Sequence, residues 1–416
     1  EQGNNSILYP SASLSFVATD AFPSLTNNNI INYLKLRVGY GTSAGYPNPY
    51  QTRTILGTNP RAFVNQGGGV LSTNTLSNNL GNRNLEPELH GELEGGVEAR
   101  FLDNRIGVDL SLYRKVSRDL IIGLNLDPAT GFTNTTVNGA TVINEGIEAA
   151  LNFTPIRGDF TWDFTLNYTK NVGTVDDIIA GVDQIGIAGY TAPGNFAIPG
   201  EPYGVILGTE FQREETTGEL LVSSIGEYVS GSEIVPIGNP QPNFQANWIN
   251  NFSYKGLSFG FQWQYIDGGD IYSSTVQALL ARGNTTATDF ERTLGLVQAG
   301  VQADGTPNNV QSYAGNQFFT AYFGADEGGI FDGTVIRLRE VSLSYSLPKR
   351  WLETTPFGRV NLSLTGENLW YNAPNFPEGI NFDPEVLSTG VGNGRGLDFR
   401  TAPTVRRYGA VINVTF

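Results

Sequence analysis

The sequence predicts an all-β fold, a transmembrane antiparallel β-barrel, and three observations lead there. Gly numbers 51 among 416 residues, aromatics make up 11 % and charged residues only 16 %, whereas soluble domains carry about 25 % charged residues and about 7 % Gly. Gly weakens helix interiors, so such a chain favours strands and turns. With 39 % apolar residues it also lacks the low hydrophobicity that disorder requires. Second, no stretch approaches the roughly 18 apolar residues of a transmembrane helix; the longest aliphatic patches resemble Leu120-Ile121-Ile122. Third, period-two alternation runs through segments as long as the about 9–11 residues of a tilted transmembrane strand. Lipid satisfies no backbone hydrogen bond, so a membrane chain without apolar helices has to be a closed barrel.

The alternation can be followed along the chain. Leu34, Leu36, Val38 and Tyr40 alternate with Lys35, Arg37, Gly39 and Gly41. Val97, Ala99 and Phe101 alternate with Glu98 and Arg100, and Ile106, Val108, Leu110 and Leu112 with Gly107, Asp109 and Ser111. From Phe160 to Thr169 every second residue is large and apolar or aromatic, and Leu257, Phe259, Phe261, Trp263 and Tyr265 repeat the pattern. A soluble antiparallel sheet with one wet face would also alternate. Segment length and the aromatics near the ends (Trp162 and Tyr168, Trp263 and Tyr265) favour the barrel, whose girdles belong there.

Strands are expected over 11–18, 34–42, 89–101, 105–120, 140–153, 158–170, 243–254, 257–266, 334–346, 359–370 and 405–416. Short turns fall at 102–104, 154–159, 255–256 and 348–357, with a longer one over 19–33. Long excursions run over 43–88, 121–139, 171–242, 267–333 and 371–404. Outer-membrane barrels have short periplasmic turns and long extracellular loops, which puts the last strand descending and Glu1 outside. Tyr203 to Gln212 also reads as a strand, and parity assigns it to an extracellular hairpin. Eleven antiparallel strands leave two edges that run parallel and cannot close on each other, so the barrel needs strands from a companion. The expectation is a C-terminal portion over 1–416 that ends at a native Phe416 and lacks the remaining strands.

Composition excludes several functions. Cys is absent and there is one His, which removes disulfide frameworks and Cys/His zinc sites. Met is absent and no signal peptide is visible, so Glu1 is read as a cleavage point or an arbitrary division of a longer chain. A net charge of −15 argues against nucleic acid or an anionic membrane surface as partner.

Six segments in order carry a resemblance. They are Tyr9-Pro10-Ser11-Ala12-Ser13 with Leu34 to Gly41; Asn84-Leu85-Glu86-Pro87-Glu88; Gly131-Phe132 with Val137-Asn138-Gly139 and Asn144 to Glu148; Ile237 to Phe244; Ile336 to Tyr345; and Asp383-Pro384-Glu385. Together they resemble the SusC-like (RagA-like) branch of the TonB-dependent outer-membrane transporters of Bacteroidetes. The resemblance implies the second half of a plugged barrel of about 22 strands, its plug domain, TonB box and N-terminal strands lying elsewhere. It further implies active import of glycan or peptide oligomers, a SusD-like surface lipoprotein as lid, and TonB with its inner-membrane motor as energy source. A dimer of transporter–lipoprotein pairs is a further arrangement it allows. A receptor for a metal chelate or vitamin, or a non-transporting adhesin or scaffold barrel, stays open beside it.

Candidate chemistry is sparse. His90 precedes a strand with no conventional Ser-His-Asp or Cys-His arrangement evident around it, so no enzyme is expected. Asp326-Glu327, Asp304, Asp176-Asp177, and Asp383 with Glu385 are weak calcium candidates without EF-hand spacing, and solvated acidic loops read as well; no other cofactor is expected. Glu92, Glu94, Glu98, Arg100, Asp109, Glu148 and Asp163 are expected to face the lumen, most of them toward a plug. Tyr46, Tyr50, Trp370 and Tyr371, at or beyond extracellular strand ends, are candidates for substrate stacking, with girdle roles as the competing reading. Tyr408, Ala410, Ile412, Val414 and Phe416 share one face of the last strand with Gly409 between, which resembles a barrel-assembly signal.

Overall fold

The computed structural model describes residues 7–416 apart from 28–29, 65, 387 and 390–391. Eleven strands form one antiparallel sheet in chain order, each on a predicted span. They are β1 (Ser11–Val17), β2 (Ile31–Gly45), β3 (Glu88–Phe101), β4 (Ile106–Asn125), β5 (Asn134–Ile156) and β6 (Phe160–Ile178). The sheet continues through β7 (Phe244–Tyr254), β8 (Leu257–Asp267), β9 (Val335–Ser346), β10 (Arg359–Asn372) and β11 (Arg407–Thr415). Among the described residues, β1 and β11 each pair on one side only.

The turns follow from local chemistry. Lys255 and Gly256 both have positive φ, the geometry that a two-residue hairpin needs to match strand twist. Leu102, Asp103 and Asn104 sit in succession in the left-handed region, which Asp and Asn tolerate better than most residues. The predicted excursion over 121–139 is corrected. Only 126–133 connects, because β4 and β5 continue to pair through Asn125 opposite Asn134. Likewise β6 runs to Ile178, opposite Ala140. Strands of 20, 23 and 19 residues exceed what a bilayer requires and rise above it, whereas β7 and β8 have 11 residues each.

Register fixes the two faces. Leu36, Val97, Leu110 and Ala149 share one face, and Arg37, Gly96, Ser111 and Glu148 the other. On the apolar face Phe252 stacks against Phe160, Trp162 and Phe259 at 5.8–6.2 Å between centroids. Nearer the long loops Phe244 packs on Tyr168 and Tyr265, and Trp263 on Trp248 and Trp370. These are the expected girdles, and this face meets lipid. The polar face lines the lumen. There Arg37 reaches across Gly96 to donate to Asp109 (2.6 Å) and Ser111 (2.5 Å). A Cβ at position 96 would lie 2.6 Å from the Arg37 Nε, so a side chain there would push the guanidinium off this path.

The buried apolar core lies in the extracellular layer. Ile185–Gly189, Gly194–Ala197, Val205–Phe211 and Ser230–Gly238 form a four-stranded sheet, which contains the predicted Tyr203–Gln212 strand. Its side chains pack in two clusters, one including Ala140, Val175 and Ile178 from the strand tops, the other Phe196, Val205 and Leu207. The helix Ser274–Ala281 contributes Val276 and Leu280 to a third, with Val335, Ala373 and Phe376.

Candidate functional site

Two adjoining cavities of about 330 and 510 Å³ lie where the wall meets this layer, sharing Pro242, Gln245, Gly392 and Arg395. Together they form a trough whose floor is the upper lumen-facing ends of β4 to β9. Ser117, Asn144, Thr169, Asn171 and Gln245 supply hydroxyls and amides there. Tyr113 donates to Asn171 at 3.0 Å, and Asn171 in turn to Asn144 at 3.1 Å. Gln241 fixes one rim: its amide donates to the carbonyls of Gly173 (2.8 Å) and Tyr203 (2.9 Å) and accepts from the Gly173 N–H (2.8 Å). Asn195, fully buried, fixes the other by donating to the Gly204 and Arg395 carbonyls and accepting from the Arg395 N–H. Arg395 is thereby held at the trough with its guanidinium free of any ion pair among the described residues. Burial pushes the Tyr203 phenol above its ordinary pKa and that of Tyr272, farther into the layer, up to about 12. Both are protonated at neutral pH.

A charged knot closes the far end. Arg337 on β9 and Asp383 in the last long loop are both fully or almost fully buried and pair through two guanidinium nitrogens. Thr404 donates to the same carboxylate, and the Glu385 N–H donates to it at 3.1 Å. Burial alone would raise the Asp383 carboxyl, but the hydrogen bonds from Arg337 and Thr404 outweigh it and hold it below the ordinary value of 3.8. Arg339, at a bulge in β9, pairs with Glu385 and donates to Gln264 at 2.7 Å. Two of the segments quoted from the sequence, Ile336–Tyr345 and Asp383-Pro384-Glu385, are thus partners in space. Sequence alone offers Asp383 and Glu385 as calcium candidates; in the fold both carboxylates engage arginines.

The other predicted residues separate. Tyr371 faces the lumen, with Arg337 5.0 Å from its ring and its hydroxyl donating to the Asn381 carbonyl at 2.8 Å. Trp370 belongs to the opposite face, against Trp263, so its substrate-stacking reading is corrected to a girdle role. Tyr46 and Tyr50 are exposed beyond β2 and do not line the trough. Asp326 accepts from the Thr209 N–H and hydroxyl at 3.0 Å, and Glu327 from the Phe211 N–H at 2.9 Å and from Arg213. The two carboxylates tie the loop sheet to the 267–333 excursion. Asp304 caps its own turn through Thr306.

His90 has a hydroxyl and a carboxylate neighbour, Ser117 at 2.9 Å and Glu88 at 3.3 Å, an arrangement with no sequence signature because Ser117 lies on the next strand. His90 and Ser117 face each other across the β3–β4 ladder, while Glu88, two residues before His90 on the same strand, also accepts from the Ile121 N–H at 3.1 Å. Glu92, Glu94, Glu98, Arg100, Asp109, Glu148 and Asp163 all share the lumen-facing register. Tyr408, Ile412 and Val414 point to the lipid face beside Leu362 and Leu364, Gly409 lies against Thr365 on the other, and Phe416 packs edge-on against Phe357 at 5.5 Å.

Comparison with known proteins agrees with this anatomy. Residues 2–233 match the family model described as TonB dependent receptor-like, beta-barrel. TonB-dependent receptor P26 of Formosa agariphila is 28 % identical over 448 residues, covering 98 % of this chain and 42 % of the relative. TonB-dependent receptor SusC of Bacteroides thetaiotaomicron is 28 % identical over 166 residues, covering 38 % of this chain and 16 % of SusC. A solved structure of the RagAB peptide transporter superposes with a TM-score of 0.73 at 18 % identity, covering 98 % of this chain and 43 % of that one. The chain spans about two fifths of the length of the curated relatives that match its whole extent.

Proposed function

The chain belongs to the TonB dependent receptor-like β-barrel family of the outer membrane, and from that premise we propose that the full-length protein imports oligomeric nutrients, glycan or peptide, by TonB-dependent active transport. The observation that carries the reading is the trough: a concavity of mixed polar and apolar lining at the extracellular mouth that opens onto a polar inner wall, inside a sheet whose other face is apolar and aromatic. Strands outside these residues close the sheet between β1 and β11, and a plug fills the lumen. A SusD-like surface lipoprotein covers the mouth and delivers the oligomer. TonB, driven by its inner-membrane motor, displaces the plug, and the oligomer passes to the periplasm without an enzymatic step. The likeness to the RagAB peptide transporter supports peptide as one of the two nutrient classes.

The reading is tested by uptake. Cells carrying or lacking the gene receive a fluorescent tryptic peptide digest and a fluorescent neutral oligosaccharide digest, with and without a protonophore. Uptake that depends on both the gene and the energised membrane, together with co-purification of a surface lipoprotein, is expected. Uptake of neither digest, with a gene-dependent uptake of ferric chelate instead, would replace this reading with that of a chelate receptor.

A further inference from the structure

The lumen-facing surface is divided by charge. On β3, register places Glu88, Glu92, Glu94 and Glu98 on that face, and β4 and β5 add Asp109 and Glu148. Lys35, Arg37, Arg100 and Lys115 oppose them, which leaves six carboxylates against four cations. Part of this charge is paired within the wall: Arg37 with Asp109 and Glu94, Lys35 and Arg100 with Glu98. Glu92 and Glu148 have no ion pair among the described residues.

The next three strands differ. Over β6 to β8 the lumen-facing positions include Asn167, Asn171, Gln245, Asn247, Gln262 and Gln264, with Ile249 and Ile266 as the aliphatic exceptions. The one charge among these strands' lumen-facing positions is Asp163, near the periplasmic end, where it accepts from Thr154 at 2.7 Å. Asn167, Gln245 and Asn251 make no side-chain hydrogen bond with any described residue, so donors and acceptors remain unspent on this face. The upper end of the neutral stretch, Thr169, Asn171 and Gln245, is also the floor of the trough. The trough therefore continues downward onto amides and hydroxyls and nowhere meets the carboxylates of β3.

We propose that the inner face of β2 to β5 is the seat of the plug, and that the inner face of β6 to β8 is the lane along which the oligomer passes. The inference rests on the import reading above. A wall with a net surplus of carboxylates holds a folded segment of the same polypeptide that presents cations, because paired charges in a partly dry lumen fix register and resist sliding. A wall of neutral amides binds hydroxyl- or amide-bearing oligomers through many weak hydrogen bonds that exchange one by one, and so lets them move.

The test uses the full-length protein in a cysteine-free background, with single Asn167→Cys, Gln262→Cys, Glu92→Cys and Glu148→Cys substitutions. Heat-modifiable migration on a gel confirms that each variant is folded. Maleimide labelling is timed in the resting state, and a photo-crosslinking residue is placed at the same four positions. Labelling about tenfold faster at 167 and 262 than at 92 and 148, since thiol reactivity follows access, supports the assignment when 92 and 148 cross-link to a basic segment preceding this chain. Equal or reversed labelling rates with cross-links to that segment overturn the lane and leave the import reading standing. Rapid labelling and no cross-link at all four positions would remove the plug itself, and with it the import reading.

Discussion

The membrane wall and the extracellular layer are built on opposite plans from one chain. In the wall, large apolar side chains such as Leu112, Leu364 and Ile412 are about half exposed or more, because lipid covers them, while polar groups face inward. In the layer, Ile206, Val276 and Leu397 are fully buried, as in a soluble protein, and a buried charge is either paired, as Arg337 with Asp383, or hydrogen-bonded, as Asp398 is by Ser273, Thr275 and Thr401. The same residue type therefore does different work on either side of the membrane boundary, and substitutions should separate the two regions.

The largest effect is expected in the layer. Arg337→Ala leaves the Asp383 carboxylate buried without its partner, at a cost of about 3–5 kcal/mol. Limited proteolysis should then cut within 373–406 while the barrel keeps its heat-modifiable migration; loss of the barrel as well would show that the two regions are not separable. The same knot should respond to pH. The folded Asp383 carboxyl lies below its ordinary 3.8, so its contribution is complete above that value and is lost as pH falls through the depressed folded value. Proteolysis of 373–406 in the wild-type protein should therefore stay flat from pH 7 to about 4 and rise only below it; a rise near pH 6 would point to a group other than Asp383.

In the wall, sidedness is the variable. Leu364→Arg, mid-strand on the lipid face, should destabilise the refolded barrel by about 2–4 kcal/mol in urea titrations in vesicles. Ser363→Arg, one position away on the lumen side, should cost far less. Equal losses would mean that β10 does not present Leu364 to lipid and Ser363 to the lumen. Trp162→Phe removes the indole donor that meets Asn250 at 3.1 Å on the lipid face, where Asn250 is buried; a loss of about 1–3 kcal/mol is expected in the same titration.

The wall was legible in the sequence because period-two alternation is local: Phe160 to Thr169 shows which residues share a face without any knowledge of neighbours. The eleven spans follow from it, and their upper ends were placed too low because β4 to β6 continue as strands where lipid no longer demands alternation. The site was much less legible. Arg337 and Asp383 lie 46 positions apart, and nothing periodic connects them. Trp370 and Tyr371 looked alike in sequence, yet they point to opposite faces, and the bulge at Arg339 that helps set their register has no sequence signature. Asn195, Gln241 and Arg395 act through backbone partners whose positions only the folded loops define. Gln241 had one signal, its place in the Asn239-Pro240-Gln241-Pro242-Asn243 segment.

The two hydrogen bonds between Asn195 and Arg395 join residues 200 positions apart. Every barrel strand, by contrast, pairs with the next barrel strand along the chain. Contacts of low sequence separation form early and those of high separation late, since the intervening chain has to be ordered first. The wall can therefore zip up hairpin by hairpin, whereas this stitch has to wait until the two loops that flank β7 to β10 have both arrived outside the cell. The trough is therefore expected to be completed only after the four strands between those loops have paired.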